Sequence, residues 1–389
     1  MKHAYNNSWL ENLLVIKAAG AWKSGKLISN DQFLHIGDEH KVGFYHPNLM
    51  IRLLLFLASV IALTGLSGLL ALVIGNMGDE EGIGVMMFFY GVAGLIFLDR
   101  QLIARSHHYK SGVTEGLLYH SALFMILGVA LFSDASTYTM TLVFLIVAGF
   151  SAARYLDLIS STVAFCSGCY LVFQICYDAG PLVQSIIPFV FIALFAPAYL
   201  GVRKLKKANG TEAWGDCLVL VEVCCIIVVY AAGNYLVVRE LSTAMLGLYV
   251  EEGQDIPFAY VFYALTVVVP VLGLAAAVKM KDVVLLRVSL LLVAFSVFTF
   301  KYYFSLGHHE ITFTAGGAIL IGSALLIYRY LKKARHGYTA ERVLEEKWAE
   351  ANPEAFVISQ TMGGNKLAAK DGLGGGGGEF GGGGSTGSY

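Results

Sequence analysis

Ten apolar runs in this chain, at approximately 49–75, 82–98, 114–132, 137–153, 158–176, 180–201, 216–238, 256–278, 283–300 and 311–330, are long enough to cross a bilayer. A helix of roughly 20 apolar residues spans the hydrocarbon layer and bonds all of its own backbone groups, which an open strand cannot do there. The runs therefore predict an all-α fold, a polytopic transmembrane helix bundle of about ten spans. Strands of a membrane β-barrel would read as short alternating segments instead. With 57% hydrophobic and 14% charged residues, a water-soluble fold has too little interior to hide the apolar side chains.

The charges between the runs set an orientation. Lys41 and Arg52 flank the first run, Arg100, Arg105 and Lys110 follow the second, Arg154 follows the fourth, and Arg203, Lys204, Lys206 and Lys207 follow the sixth. Lys279 and Lys281 follow the eighth and Arg329, Lys332, Lys333 and Arg335 end the tenth, whereas the alternate connections carry acids such as Asp79, Glu80, Glu251 and Glu252. Short loops rich in Lys and Arg stay in the cytoplasm, so both termini are expected inside, N-in and C-in, in a bacterial cytoplasmic (inner) membrane. No cleavable leader is visible, and the first span is expected to serve as the targeting signal. The formal net charge of -1 gives no reason to expect nucleic acid; membrane lipids are the expected surroundings.

Four regions follow from this layout. Residues 1–48 read as a cytoplasmic helical segment, in which Ser29 and Gln32 have the spacing of a capping box. Residues 49–330 form the transmembrane helical domain and 331–353 a charged cytoplasmic helix that Pro353 ends. Residues 354–389 are a glycine-rich tail expected to be disordered, because glycine loses the most backbone entropy on folding and brings no side chain to bury. The helical segment and the tail both offer contacts to a cytoplasmic protein partner.

Few residues carry chemistry inside the spans. Glu222, in CLVLVEVCCIIVVY, is the acid placed deepest in an apolar run. A carboxylate there must be paired, protonated or wetted, which makes it a candidate ion or proton site. Arg287 lies about one and a half turns into the ninth run and is expected either to pair with Glu222 or to snorkel to the headgroups. His308, His309 and Glu310 form a candidate polar site at the outer face. Adjacent helical residues point about 100° apart, so these three do not present a metal triad by themselves, and an aromatic interfacial belt around Tyr302 and Tyr303 is the plainer reading.

Cys166 and Cys169 have C-x2-C spacing, but within one continuous apolar helix they read as small packing residues, as do Cys176, Cys217, Cys224 and Cys225. Neither a metal nor a cofactor is expected: the chain has no P-loop, dinucleotide fingerprint, nucleophile elbow or zinc-protease motif. Pro188, Pro197 and Pro270 fall inside the sixth and eighth runs and are expected to bend them.

Gly25, Leu27, Ile28, Ser29 and Gln32 follow, in order, a "glycine, apolar residue, isoleucine, serine, acid or glutamine" pattern. In this the chain resembles a broad family of uncharacterised bacterial multi-pass membrane proteins with a short cytoplasmic helical N-terminal segment, and Asn30 departs from the pattern. The resemblance implies topology and no activity.

Three functions remain open from sequence. The first is a non-enzymatic membrane scaffold or accessory protein, favoured by the scarcity of charge in the spans. The second is a secondary transporter or proton-coupled permease centred on Glu222. The third is a membrane enzyme acting on lipid at the outer face through His308, His309 and Glu310.

Overall fold

The structure, a computed structural model, describes residues 2–25, 27–74, 79–132, 136–246 and 255–303, with isolated helical positions between 314 and 329. Two short helices, α1 (Asn7–Ser24) and α2 (Asn30–Glu39), precede the long ones. These are α3 (Leu49–Ile74), α4 (Glu80–Phe97), α5 (Val113–Phe132), α6 (Thr137–Tyr155), α7 (Leu158–Asp178), α8 (Pro181–Lys206), α9 (Gly215–Gly233), α11 (Ala259–Met280) and α12 (Val283–Tyr303), with a shorter α10 (Tyr235–Leu246) after α9. Among the described residues nine helices are long and apolar enough to cross a membrane. The tenth predicted span, 311–330, and the regions 331–353 and 354–389 lie largely or wholly outside the described residues.

Antiparallel hairpins build the bundle: α4 packs on α5, α6 on α7, α8 on α9 and α11 on α12, with α3 against α5. The two ends of the bundle differ. We call the end that carries α1, α2 and the ion pairs basal, and the other distal. Much of the apolar surface faces outward, with Ile61 72% and Leu72 76% exposed on α3. Water would not tolerate such an outward-facing hydrocarbon surface, and a bilayer matches it.

Local chemistry fixes the helix ends. Ser29 and Gln32 close the predicted capping box on α2, Asp79 caps α4 by accepting from the Gly82 N–H, and Asp157 caps α7 by accepting from the Ser160 N–H. Glycine brings α4 and α5 together, since a Cβ on Gly91 would stand 2.5 Å from the Ser121 carbonyl and one on Gly128 2.6 Å from the Phe88 nitrogen. Gly65 and Gly68 on α3 face open space instead.

Two predicted spans are corrected. The second does not end at 98 in a loop: α4 runs on as a π-helix over Leu98–Arg105, which buries Leu98 and Ile103. The seventh does not continue to 238: it breaks at Asn234, whose backbone is extended (φ -84, ψ 125). Hydropathy is blind to this break because the apolar residues YLVV resume directly after the single Asn234. The freed groups find side chains instead, as the Val237 N–H donates to Asn234 Oδ1 and the Tyr235 N–H donates to Thr266 Oγ1 on α11.

Candidate functional site

Glu222 is 1% exposed, the most enclosed charged residue among those described. Its carboxylate accepts from Lys206 Nζ at 2.8 Å. Lys206 ends α8, and α8 and α9 pack closely enough that its ammonium reaches the second turn of α9. The same face of α8 carries Tyr199 and Arg203, at the helical spacing of 199, 203 and 206. Arg203 donates to the Tyr199 hydroxyl at 2.7 Å and pairs with Asp282 at 3.1 Å, where Asp282 also caps α12 by accepting from the Leu285 N–H. One stripe of α8 thus clamps α9 and the start of α12 through two charge pairs.

The predicted partner of Glu222 is corrected by this geometry. Arg287 is exposed on α12, because its place in the turn directs it away from the α9 face and its long stem reaches outward. Lys206, read from sequence only as a topology signal, takes the role. The sequence clue was present: a cation at the last turn of one helix of a short hairpin is a natural partner for an acid on the next. His308, His309 and Glu310 lie outside the described residues.

Sequence reading passed over two further charge pairs at the basal end. Arg52 of α3 donates to Glu115 Oε1 of α5 at 2.5 Å, and the other carboxylate oxygen accepts from the Gly112 N–H and the Thr114 hydroxyl. Arg154 at the end of α6 donates to Asp99 of the π-helical segment at 2.7 Å, and also to the Lys2 carbonyl at 3.0 Å. Tyr119 donates to Asp157 at 2.8 Å. The N-terminal segment is tied into this network, since the Ala4 N–H donates to the Arg154 carbonyl and Tyr5 is buried against Leu98, Leu118 and Tyr155. Burial pushes the Tyr5 phenol well above its ordinary range and the Tyr109 phenol up to about 12. Burial also holds the His3 and His108 imidazoles below their ordinary value.

The distal end holds the helix break. Asn234 is fully buried, and its amide donates to the Tyr230 hydroxyl and to Thr299 Oγ1 of α12, both at 3.0 Å. Outside it, Asp255 accepts from Tyr235 at 2.7 Å and from Tyr263 at 3.0 Å, while Arg239 donates to Tyr235 at 2.7 Å. Partial burial alone would raise the Asp255 carboxyl. The two phenols, the Ile256 amide and Arg239 outweigh it and hold that carboxyl below the usual range. Beside the break, a cleft of about 220 Å³ opens between α7, α8, α9 and α10, walled by Phe173, Ile187, Pro188, Phe191, Val228 and Val238. Pro188 of α8 lines that cleft, and Pro270 of α11 is buried.

Packing also gathers thiols. Cys169 lies within electrostatic reach of Cys166 on its own helix and of Cys224 and Cys225 on α9. The C-x2-C pair therefore meets a second pair that its sequence position did not reveal. Among the described residues, no group of three or more His, Cys, Asp or Glu side chains is placed to hold a metal ion. Searches of family models, of curated proteins and of solved structures find no match to this chain.

Proposed function

We propose that this chain is a secondary transporter of the inner membrane, N-in and C-in, with the basal end cytoplasmic and the Lys206–Glu222 pair as its ion- or proton-responsive element. One observation carries the reading: a carboxylate 1% exposed inside an apolar bundle is held by a cation on the neighbouring helix. A scaffold, the first reading of the sequence, has no need of such a pair. Removing two charges from water costs several kcal/mol per ion, and apolar residues of similar volume would hold the helices as well or better. The broken α9–α10 and the proline-bearing α8 and α11 fit the same reading, since discontinuous helices and bends provide places where a bundle changes shape. The N-terminal segment 1–48, with lipids and a cytoplasmic protein as its contacts, and membership in the family it resembles belong to the same proposal. No observation on the described residues favours a lipid-acting enzyme.

The test is electrical. Proteoliposomes on a solid-supported membrane are challenged with pH jumps and with a panel of cationic, anionic and neutral solutes. The expected outcome is a transient current for one solute class, dependent on pH and reduced at least tenfold in Glu222→Gln. Absence of current from folded protein across the panel would return the chain to the scaffold class.

A further inference from the structure

One face of α7 stands apart from the rest of the bundle. Tyr170, Phe173, Gln174, Tyr177 and Asp178 follow the i, i+3, i+4, i+7, i+8 spacing that lines up side chains on a single helical stripe. The stripe faces the start of α6 across a distal vestibule of about 510 Å³, whose other wall holds Ser136, Thr137 and Tyr138. Phe173 stacks near Tyr170, with ring centroids 6.5 Å apart, and tilts towards Tyr177 at 5.9 Å. Asp178 accepts from the Tyr138 hydroxyl at 2.5 Å, and among the described residues no lysine or arginine lines the vestibule. Gln174 is 8% exposed, yet its carbonyl oxygen Oε1 has no hydrogen-bond partner. A buried acceptor left open is a cost of about 1–3 kcal/mol that native packing ordinarily removes.

Each of these features asks for the same ligand. Aromatic faces attract a cation through the ring quadrupole, most strongly when its charge is diffuse and poorly hydrated. A carboxylate with no lysine or arginine beside it among the described lining residues supplies the counter-charge, and the open Gln174 carbonyl adds a second negative pole. Phe173 is shared with the apolar cleft beside the helix break, so an organic group attached to the cation has a dry place to lie. We infer that the vestibule between α6 and α7 binds a hydrophobic organic cation, its charge among Tyr138, Tyr170, Tyr177 and Asp178 and its apolar part against Phe173. As a binding site the vestibule stands alone; as the substrate site it rests on the transport reading.

Tetraphenylphosphonium and tetraphenylborate have the same shape and opposite charge, which makes them the probe pair. Equilibrium binding of each to the full chain in nanodiscs is expected to show tetraphenylphosphonium held at least tenfold more tightly. Asp178→Asn is expected to weaken the cation at least tenfold, and Tyr170→Leu or Tyr177→Leu three- to tenfold. Gln174→Leu, which satisfies the buried position with carbon, is expected to raise the melting temperature of the empty protein while weakening the cation; it keeps the site testable if Asp178→Asn fails to fold. Equal binding of the two probes, or an unchanged affinity in folded Asp178→Asn, would overturn the site. Selective binding without uptake into proteoliposomes would leave the site standing and overturn the transport reading alone. Uptake of another solute class without selective binding would do the reverse.

Discussion

Lys206 and Glu222 meet at 2.8 Å across the α8–α9 hairpin, with 1% of the Glu222 side chain exposed. Removing Lys206 strands the Glu222 charge in an apolar surrounding, which costs about 3–5 kcal/mol. Lys206→Ala is expected to lower thermal stability in detergent by that order, and Glu222→Ala by less, because the Lys206 side chain is 29% exposed. The double variant Lys206→Met with Glu222→Leu is expected to recover most of it. If the double variant is as unstable as the two losses added together, the pair does not act as a pair.

Gly112 and Gly180 both have positive φ, +91 and +100, but their surroundings differ. A Cβ at Gly112 would run into the Arg52 carbonyl and the Phe56 nitrogen, whereas one at Gly180 meets nothing within 4 Å. Gly180→Ala is expected to cost only the backbone term of about 1–3 kcal/mol, since φ 100 with ψ 174 is a region that glycine alone enters readily. Gly112→Ala is expected to cost more, because α3 must move from α5 and the Arg52–Glu115 pair stretches with it. Melting curves of the two variants give the comparison, and equal shifts would contradict it.

The helix break depends on side chains substituting for backbone partners. Thr266→Val keeps shape and removes the acceptor of the Tyr235 N–H, with an expected loss of about 1–3 kcal/mol. Asn234→Leu removes the cap of α10 and the amide bonds to Thr299 and Tyr230. Hydrogen exchange is expected to quicken in α10 in both variants and to stay unchanged in the α4–α5 hairpin. Unchanged protection of Tyr235–Leu246 would show that the break is held by something else.

Docking of the N-terminal segment is expected to be pH-dependent. Burial beside Trp214, with ring centroids 5.2 Å apart, lowers the His3 imidazole below its ordinary value of 6.5. A released segment therefore takes up its proton before a docked one, so docking is complete above about 6.5 and weakens as pH falls from there through the depressed value. Trp214 emission, followed from pH 8 to pH 5, is expected to report release with a midpoint under 6.5. His3→Phe is expected to flatten the profile, and an identical profile in that variant would assign the change to another group.

The amino-acid sequence alone dictates that the chain is a helical bundle for a membrane, since long apolar runs leave backbone groups no other way to be satisfied. Local signals are equally legible: the Ser29–Gln32 box forms because its groups lie within one turn. Partner choice was not legible. Arg287 was the partner the sequence suggested for Glu222, and only the packing of α8 on α9 brings Lys206 to it instead. The break at Asn234 follows from Thr266 and Thr299, which come from helices distant in sequence. The α7 stripe was visible in sequence as spacing, yet the open Gln174 carbonyl and the vestibule exist only once α6 stands opposite. Hydrophobicity is a property that residues carry individually and so survives in the sequence. Pairing in a low-dielectric interior is a property of two groups at a distance of a few ångströms, which packing alone creates.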